Sequence, residues 1–108
     1  MTKIRYATNK NEFSMECRGH AGYASAGQDI VCAAISVLTE TLAMYLCEKK
    51  EDIHVNVAAG YIYMRCKGEK SIDAFEMTLT GLKSVEANYP QYLSIEKGCT
   101  IFEESCMK

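Results

Sequence analysis

Apolar and polar residues alternate in five short stretches of this chain, and two longer stretches place apolar residues at helical spacing. Alternation predicts half-buried strands, and apolar residues every three or four positions predict amphipathic helices. The predicted elements are strand 2–8, strand 13–18, helix 30–46, strand 53–57, strand 61–66, helix 71–88 and strand 92–97. The order β-β-α-β-β-α-β predicts an α+β fold, in which two helices pack on a sheet that its hairpins make mostly antiparallel.

The length and composition of the chain favour one folded domain over residues 1–108. A second domain within 108 residues would be too small to bury a core of its own. Hydrophobic residues make up 48% of the sequence, which excludes a disordered chain. The tail 98–108 is less regular. Ile101 and Phe102 are candidates for a short pairing segment there, whereas two consecutive glutamates indicate fraying.

The charge and the cysteine pattern exclude several classes of partner. The formal net charge of −2 leaves no cationic footprint for direct binding of nucleic acid. The six cysteines show no CxxC spacing, so neither a zinc site nor a thioredoxin motif is predicted. The apolar stretch 30–46 is shorter than a membrane span and contains Glu40. The first residues lack the apolar core of a signal peptide, which predicts a cytoplasmic protein with free thiols.

A histidine and a cysteine stand on either side of a segment of small residues, between the second strand and the first helix. Asp29 is placed to cap this helix, so Cys32 lies in the first turn, where unpaired N–H groups and the helix dipole favour a thiolate. His20 follows the strand and can fold back towards the sulfur, which gives a nucleophile and a base. The first-turn amides are also placed to donate to an oxyanion.

Three neighbouring features extend this candidate site. Asp29 either caps the helix or orients the imidazole of His20, and one carboxylate can do both. Ser36 lies one helical turn after Cys32 on the same face, where it donates a hydrogen bond within the site or permits close packing. Small residues and two glycines predict a mobile loop before the helix. Its residues are Ala21, Gly22, Tyr23, Ala24, Ser25, Ala26, Gly27 and Gln28.

The same residues have simpler interpretations. One histidine and one cysteine arise easily by chance at this separation, and a cysteine near a helix start is usually a small buried residue. Cys17 and His20 form a C-x-x-H unit, which matches half of a metal site, but no second pair has suitable spacing and no metal is predicted. Two further hypotheses therefore stand beside an enzyme: a non-enzymatic interaction module, and a redox- or metal-responsive protein that uses several thiols.

Two pairs of residues define the two faces of the predicted sheet. Cys17 and Cys66 fall on the apolar side of their strands and are predicted to lie in the core. Tyr61 and Tyr63 share the opposite side of one strand. The tyrosines form a binding surface, a dimer contact or plain cross-strand packing, and the sequence leaves these alternatives open.

The segment 19–36 resembles the signature of the ribosomal-processing cysteine protease family, Prp. That signature is Gly-His-Ala with an aromatic residue after it, then Gly-x-Asp-Ile-Val-Cys-Ala-Ala and a serine two residues on. The matching residues are Gly19, His20, Ala21, Tyr23, Gly27, Asp29, Ile30, Val31, Cys32, Ala33, Ala34 and Ser36. A second match lies further along the chain, at Gly81, Leu82, Tyr89 and Pro90. The length and the element order also agree with this family.

The resemblance implies a cytoplasmic cysteine endopeptidase. The family removes a short N-terminal extension from large-subunit ribosomal protein twenty-seven and cuts after a phenylalanine. By motif position, His20 is the base and Cys32 the nucleophile. Asp29 and Ser36 are supporting residues, and the loop 21–28 moves to admit substrate. The resemblance also implies a homodimer that needs no metal or organic cofactor. A divergent protease with another substrate and a non-enzymatic ribosome-associated module are the alternatives.

Overall fold

Strands and helices follow one another in the expected order in the computed structural model, which describes residues 1–25 and 27–104. The elements are β1 Thr2–Thr8, β2 Glu12–Arg18, α1 Ile30–Glu48, β3 Asp52–Ala58, β4 Tyr61–Lys67, α2 Ser71–Asn88 and β5 Leu93–Lys97. The predicted order β-β-α-β-β-α-β and the α+β class are therefore confirmed. The predicted loop residue Ala26 and the tail cysteine Cys106 lie outside the described residues.

The strands form a five-stranded sheet in the order β3-β4-β2-β1-β5. The hairpin partners β1–β2 and β3–β4 run antiparallel, and so does the pair β2–β4 that joins the two hairpins. The edge strand β5 runs parallel to β1, because the crossover through α2 brings the chain back to the sheet in that direction. The sheet is thus mostly antiparallel, as predicted.

Both helices pack on one face of this sheet and cover its apolar residues. The sheet contributes Ile4, Tyr6, Phe13, Met15, Cys17, Ile62, Met64 and Cys66 to the core cluster. The rings of Phe13 and Phe75 stack with their centroids 4.5 Å apart, which fixes α2 against β2. Cys17 and Cys66 are both buried here, so their prediction as core residues is confirmed.

Helix α1 begins directly after Asp29 and buries one side against the sheet. Its buried residues are Val31, Ile35, Thr39, Leu42 and Leu46. With 19 residues it is long and apolar enough, by length and composition alone, to cross a membrane, as core helices of globular proteins also are. The expectation that this stretch is too short for a membrane span is therefore wrong. The opposite side of α1 also carries apolar residues, and these are exposed.

In the part of the chain that the structure describes, the other face of the sheet carries no helix and is polar. Its central carboxylate, Glu16, is buried and accepts hydrogen bonds from Arg5, Arg18 and Tyr61. Burial alone would raise the pKa of Glu16, but these hydrogen bonds together lower it below its ordinary value. The described part of the tail crosses this face as irregular chain, so the pairing segment expected in the tail does not form.

Candidate active site

Three neighbouring strands meet at one end of the sheet and fix the chain there. The register pairs Arg18, at the end of β2, with Tyr61, at the start of β4. Just beyond this pair, the N–H of Gly19 donates to the carbonyl oxygen of Gly60 at 2.7 Å. Thr2, at the start of β1, donates its hydroxyl to the carbonyl oxygen of Gly19 at 3.1 Å. These bonds hold the backbone immediately before the candidate histidine.

The imidazole of His20 lies directly on Gly60, in the turn between β3 and β4. A Cβ atom placed on Gly60 would lie 2.8 Å from Nε2 of His20, which is closer than a real Cβ contact allows. Gly60 also has a φ of +63°, in the left-handed region that favours glycine. Gly60 therefore forms the turn and also leaves room for the ring of His20.

Asp29 caps α1 and accounts for the position of Cys32. Its Oδ1 accepts from the N–H of Val31 at 3.0 Å and of Cys32 at 2.9 Å, and its carbonyl oxygen accepts from Ala33 at 3.1 Å. Cys32 is thus the third residue of the helix, with a half-buried thiol near the positive end of the helix dipole. These bonds occupy three first-turn amides, so the expectation that they donate to an oxyanion is wrong for this conformation.

The second carboxylate oxygen of Asp29 anchors the loop that precedes the helix. Oδ2 accepts from the N–H of Tyr23 at 3.1 Å and of Ala24 at 3.4 Å. The N–H of Cys32 is the largest cause that lowers the pKa of Asp29, and desolvation opposes it. The hydrogen bonds described for this carboxylate do not include His20. Of the two roles left open by the sequence, the structure shows the helix cap and adds the loop anchor.

The first residue of the loop holds the sulfur. The N–H of Ala21 donates to Sγ of Cys32 at 3.2 Å, and the Ala21 side chain is buried in the core. Such a donor stabilises a thiolate more than a thiol, because hydrogen bonds to charged acceptors are the stronger ones. The residue that follows His20 therefore fixes the position of the Cys32 sulfur.

Beyond its first residue, the described part of the predicted loop is exposed and has one side-chain clamp. The ring of Tyr23 packs edge-on against Tyr89 and Tyr92, with centroids 5.6 and 5.3 Å away. Gly22 and Gly27 both have positive φ, and a Cβ at either position would meet no neighbour within 4 Å. The loop is thus held at Ala21 and, through its ring, at Tyr23. Its motion stays a prediction.

A cleft of about 190 Å³ brings the candidate residues together. His20 and Cys32 both line it, and so does Ser36, one helical turn after the cysteine. Ile35 and Val57 give the cleft an apolar wall. A thiol, an imidazole and a hydroxyl therefore share one small cleft, and the thiol and the imidazole are the nucleophile and base that attack on a peptide carbonyl needs.

The neighbouring thiol of Cys17 differs from Cys32 in its chemistry. Burial raises the pKa of Cys17 to about 12, and charge on Cys32 adds to the rise. Burial likewise raises the pKa of Cys66 to about 12. Both core cysteines therefore stay protonated at neutral pH. Within residues 1–25 and 27–104, no group of three or more His, Cys, Asp or Glu side chains is placed to hold a metal ion.

Two parts of the site were not singled out for chemistry by the sequence. The donor at Ala21 is a backbone N–H, which every residue except proline carries, so no residue type reveals it. Gly60 could be found more easily in the sequence, because Ala59 and Gly60 mark the turn of a hairpin. The sequence could not show that this turn lies beside His20, since that contact depends on the pairing of β2 with β4.

Comparisons with known proteins give a matching family and several similar folds. The family model described as cysteine protease Prp matches residues 1–94. The S. aureus ribosomal processing protease Prp with a covalently linked product peptide has a TM-score of 0.80 at 19% identity, covering 91% of this chain and 100% of that chain. Its complex with a substrate peptide has a TM-score of 0.74 at 18% identity, with the same coverage of 91% and 100%. A Streptococcus mutans protein, SMU.848, has a TM-score of 0.70 at 27% identity, covering 93% of this chain and 96% of that chain. Among curated proteins, none matches the chain.

The family match includes every group described in the cleft. Residues 1–94 contain His20, Cys32, the cap at Asp29 and the turn at Gly60, and the match ends before the tail. Since the family model covers most of the chain, the chain belongs to the Prp family of cysteine proteases.

Proposed function

We propose that this chain is a cysteine endopeptidase in which Cys32 is the nucleophile and His20 the base. The position of the sulfur carries the proposal. Sγ lies at the start of α1, 3.2 Å from the N–H of Ala21, in the cleft that His20 also lines. Membership of a cysteine protease family supports the type of reaction.

The pair moves one proton through each half of the reaction. His20 takes the thiol proton of Cys32, and the thiolate attacks the carbonyl carbon to form a C–S bond. The imidazolium then protonates the leaving amine as the C–N bond breaks, which leaves a thioester on Cys32. Water gives a proton to His20 and attacks the thioester. The C–S bond breaks and the carboxylic acid leaves, and the imidazolium of His20 returns its proton to the sulfur, which restores the thiol of Cys32.

The N–H of Ala21 is the donor that we assign to the oxyanion of the tetrahedral intermediates. Three amides of the first helical turn are bonded to Asp29, whereas the Ala21 N–H points at the sulfur. When the sulfur bonds to carbon, its negative charge passes to the former carbonyl oxygen, and an adjacent N–H then stabilises that oxygen. Asp29 supports the reaction by holding the helix and the loop, and Ser36 lines the cleft beside the nucleophile.

We infer that the substrate is the N-terminal extension of large-subunit ribosomal protein twenty-seven, cut after a phenylalanine. The structurally similar S. aureus protease is described as a ribosomal processing protease and was crystallised with substrate and product peptides. The apolar wall of Ile35 and Val57 suits an aromatic side chain of the substrate. The loop 21–28 opens to admit the peptide, which the exposure of its described residues beyond Ala21 supports.

We further propose that the chain acts in the cytoplasm as a homodimer, with no metal or organic cofactor and no direct contact with nucleic acid or membrane. An exposed apolar stripe on α1 supports the pairing of two copies. The α1 stripe consists of Ile30, Val37 and Met44, which are 55%, 64% and 63% exposed. Residues seven apart lie on the same side of a helix, and large apolar side chains exposed together mark interaction surfaces.

A cleavage assay tests the peptidase proposal. A synthetic peptide with the N-terminal extension of the ribosomal protein is mixed with the reduced full-length chain, and the products are read by mass spectrometry. We expect a single cut after a phenylalanine, lost in Cys32→Ala and in His20→Ala. Cys47→Ala is the matched control, because Cys47 is an exposed cysteine on the same helix, and it should cut like the wild type.

Two outcomes would contradict the proposal at different points. A cut that survives Cys32→Ala would exclude this residue as nucleophile. Absence of cleavage by the folded wild type would exclude this substrate and favour a divergent protease or a non-enzymatic module. The two cases separate on function after Cys32→Ala, because a non-enzymatic module keeps its function without the thiol and a divergent protease loses its cleavage.

A further inference from the structure

The tail segment 101–104 lies across the helix-free face of the sheet. The N–H of Phe102 donates to the hydroxyl of Ser14 at 3.1 Å, and its carbonyl oxygen accepts from the hydroxyl of Tyr63 at 2.8 Å. Ser14 and Tyr63 are buried, on the adjacent strands β2 and β4. The guanidinium of Arg5 lies 4.0 Å from the centroid of the Phe102 ring. One tail residue therefore contacts three strands and satisfies two buried hydroxyls.

The two residues that follow continue across the sheet towards its edge. Glu103 forms an ion pair with Arg65 on β4, and Glu104 accepts a hydrogen bond from the amide of Asn56 on β3. The segment thus runs over β1, β2, β4 and β3, which are consecutive in the sheet. Its aromatic ring meets a cation and its carboxylates meet a cation and an amide, so each group has a complementary partner.

We propose that the helix-free face is a binding site for an extended segment with an aromatic residue followed by two carboxylates. In this chain the occupant is its own segment 101–104. Ser14 and Tyr63 form hydrogen bonds with the backbone of the ligand, and Arg5 packs on its ring. Polar groups of β3 and β4 bind its carboxylates. The segment lies outside residues 1–94, the part of the chain that the family model matches.

Occupation of this site holds the edge strand β3. This strand pairs with β4 on one side, and the bond from Asn56 to Glu104 ties it to the tail. At its end β3 enters the turn of Gly60, on which the imidazole of His20 lies. The bound tail therefore stabilises one wall of the cleft from the opposite face of the sheet. This link between the tail and the cleft rests on the proposed function of His20.

Hydrogen exchange on the full-length chain, read by mass spectrometry, tests the binding site. Phe102→Ala removes the ring from Arg5, so the whole segment binds the face less tightly and Glu104 holds β3 for less of the time. Thr100→Ala, at an exposed tail position, is the matched control. In Phe102→Ala we expect the amides of β3 to exchange about tenfold faster, which corresponds to about 1.4 kcal/mol, with α1 and α2 unchanged. Thr100→Ala should exchange like the wild type.

Two exchange patterns would overturn the proposal. Equal exchange of β3 in the wild type and in Phe102→Ala would show that the tail does not hold this strand. An equal rise in β3, α1 and α2 would show that Phe102 contributes to global stability and not to a separable site.

A peptide added in trans tests whether the face recognises the segment by itself. The probe is a synthetic peptide of residues 99–104, added to the Phe102→Ala chain at millimolar concentration, which is the effective concentration that a short tether provides. It should restore the exchange of β3 to the wild-type rate. The same peptide with alanine in place of phenylalanine should not. Failure of the first peptide to restore protection would overturn the binding site.

Alkylation of Cys32 separates this inference from the proposed function. If the tail stabilises the wall of the cleft, iodoacetamide should label Cys32 several-fold more slowly in Phe102→Ala than in the wild type. Faster exchange of β3 with unchanged labelling would keep the binding site and overturn its link to His20. A wild-type chain with the expected exchange pattern and no peptidase activity would count against the proposed function alone.

Discussion

Cys32 owes its position to backbone groups and to one carboxylate. Asp29 sets the start of the helix, and the N–H of Ala21 meets the sulfur at 3.2 Å. Neither contact requires a second catalytic side chain. The sulfur of Cys32 is therefore held in place independently of His20, whose ring lies on Gly60. A defect on one side of the pair should leave the other side in position, although labelling of Cys32 also depends on proton transfer to His20.

The thiols should differ sharply in reactivity at neutral pH. We expect iodoacetamide to label Cys32 before the exposed Cys47 and Cys99, because its sulfur lies at a helix start and accepts from the N–H of Ala21, a setting typical of reactive cysteines. Cys17 should stay unlabelled in the folded chain, since burial raises its pKa to about 12. Peptide mapping after brief labelling measures the order. Equal labelling of Cys32 and Cys47 would contradict this assignment.

Gly60→Ala should impair catalysis more than folding. The new Cβ would stand 2.8 Å from Nε2 of His20 and force the imidazole to move. A displacement of about 1 Å can lower kcat roughly 100-fold, with a smaller change in KM. Gly60→Asn is the control for backbone strain, because asparagine tolerates positive φ but carries the same Cβ. If Gly60→Asn keeps full activity while Gly60→Ala loses it, backbone strain and not the clash is responsible.

At this scale the motif predicted the side chains of the site but not the groups that hold them. His20, Cys32 and Ser36 line one cleft, which agrees with the expectation that His20 folds back towards the sulfur. The oxyanion donors expected in the first helical turn are instead bonded to Asp29. The sequence predicted Asp29 as the cap, but it could not show how many first-turn amides the cap occupies, because that depends on the φ and ψ of one residue. The contact at Gly60 needs long-range pairing, which a motif does not contain.

Asp29 joins two elements, since each of its carboxylate oxygens serves one of them. Asp29→Asn keeps one acceptor oxygen and replaces the other with an NH₂ group. We expect it to retain the cap on α1 and to lose the bonds from Tyr23 and Ala24, so that the loop exchanges hydrogen faster while the helix start does not. Asp29→Ala should loosen both. Hydrogen exchange of the loop and of the first turn of α1 distinguishes the variants, and equal behaviour of both would contradict the divided role.

The polar face of the sheet should make stability depend on pH through Glu16. Its pKa in the folded chain lies below the ordinary value of 4.5. A carboxyl of this kind adds stability above its unfolded pKa, and that stability is lost as the pH falls through the folded pKa. Glu16→Gln should therefore be less stable than the wild type at neutral pH, by about 2 kcal/mol, as hydrogen bonds to a charged group contribute roughly 1.5–3 kcal/mol.

Urea denaturation at neutral and acidic pH measures this difference. The gap between the wild type and Glu16→Gln should narrow once the pH is well below 4.5. The pKa values of Glu12 and Asp29 are also lowered, but both groups are present in the two proteins and cancel in the comparison. A gap that stays constant with pH would show that Glu16 acts through packing and not through its charge.

The elements themselves were readable from the sequence because each is a local pattern. The alternation around Phe13 predicted β2, and the apolar spacing before Pro90 predicted α2, close to their observed bounds. The partner of β5 was not readable, since alternation marks a strand but not its neighbour. The pairing segment expected in the tail is absent from residues 101–104 for a related reason. The residues around Phe102 look like a strand and a charged end, yet they bind side chains of the sheet instead of its backbone edge.

Considered as a whole, the molecule has one face that its own tail covers and one helix side that nothing in the described chain covers. The sheet is buried by two helices on one face and crossed by the segment 101–104 on the other. The outer side of α1 exposes the α1 stripe, although this helix is the most apolar element of the chain. Covering this surface with a second copy stabilises the pair, by about 25 cal/mol for each Å² of apolar area removed from water.

Sedimentation velocity at micromolar concentration tests the dimer. The wild type should sediment as a dimer, and Val37→Glu as a monomer. A carboxylate buried without a partner costs about 3 kcal/mol or more, which weakens the Kd at least ~100-fold. Lys83→Glu is the matched control, because it places a carboxylate on an exposed position of α2, away from the α1 stripe. Circular dichroism of Val37→Glu checks that the monomer is folded. A wild type that stays monomeric, or a Val37→Glu chain that dimerises as tightly as Lys83→Glu, would show that two copies do not meet at the α1 stripe.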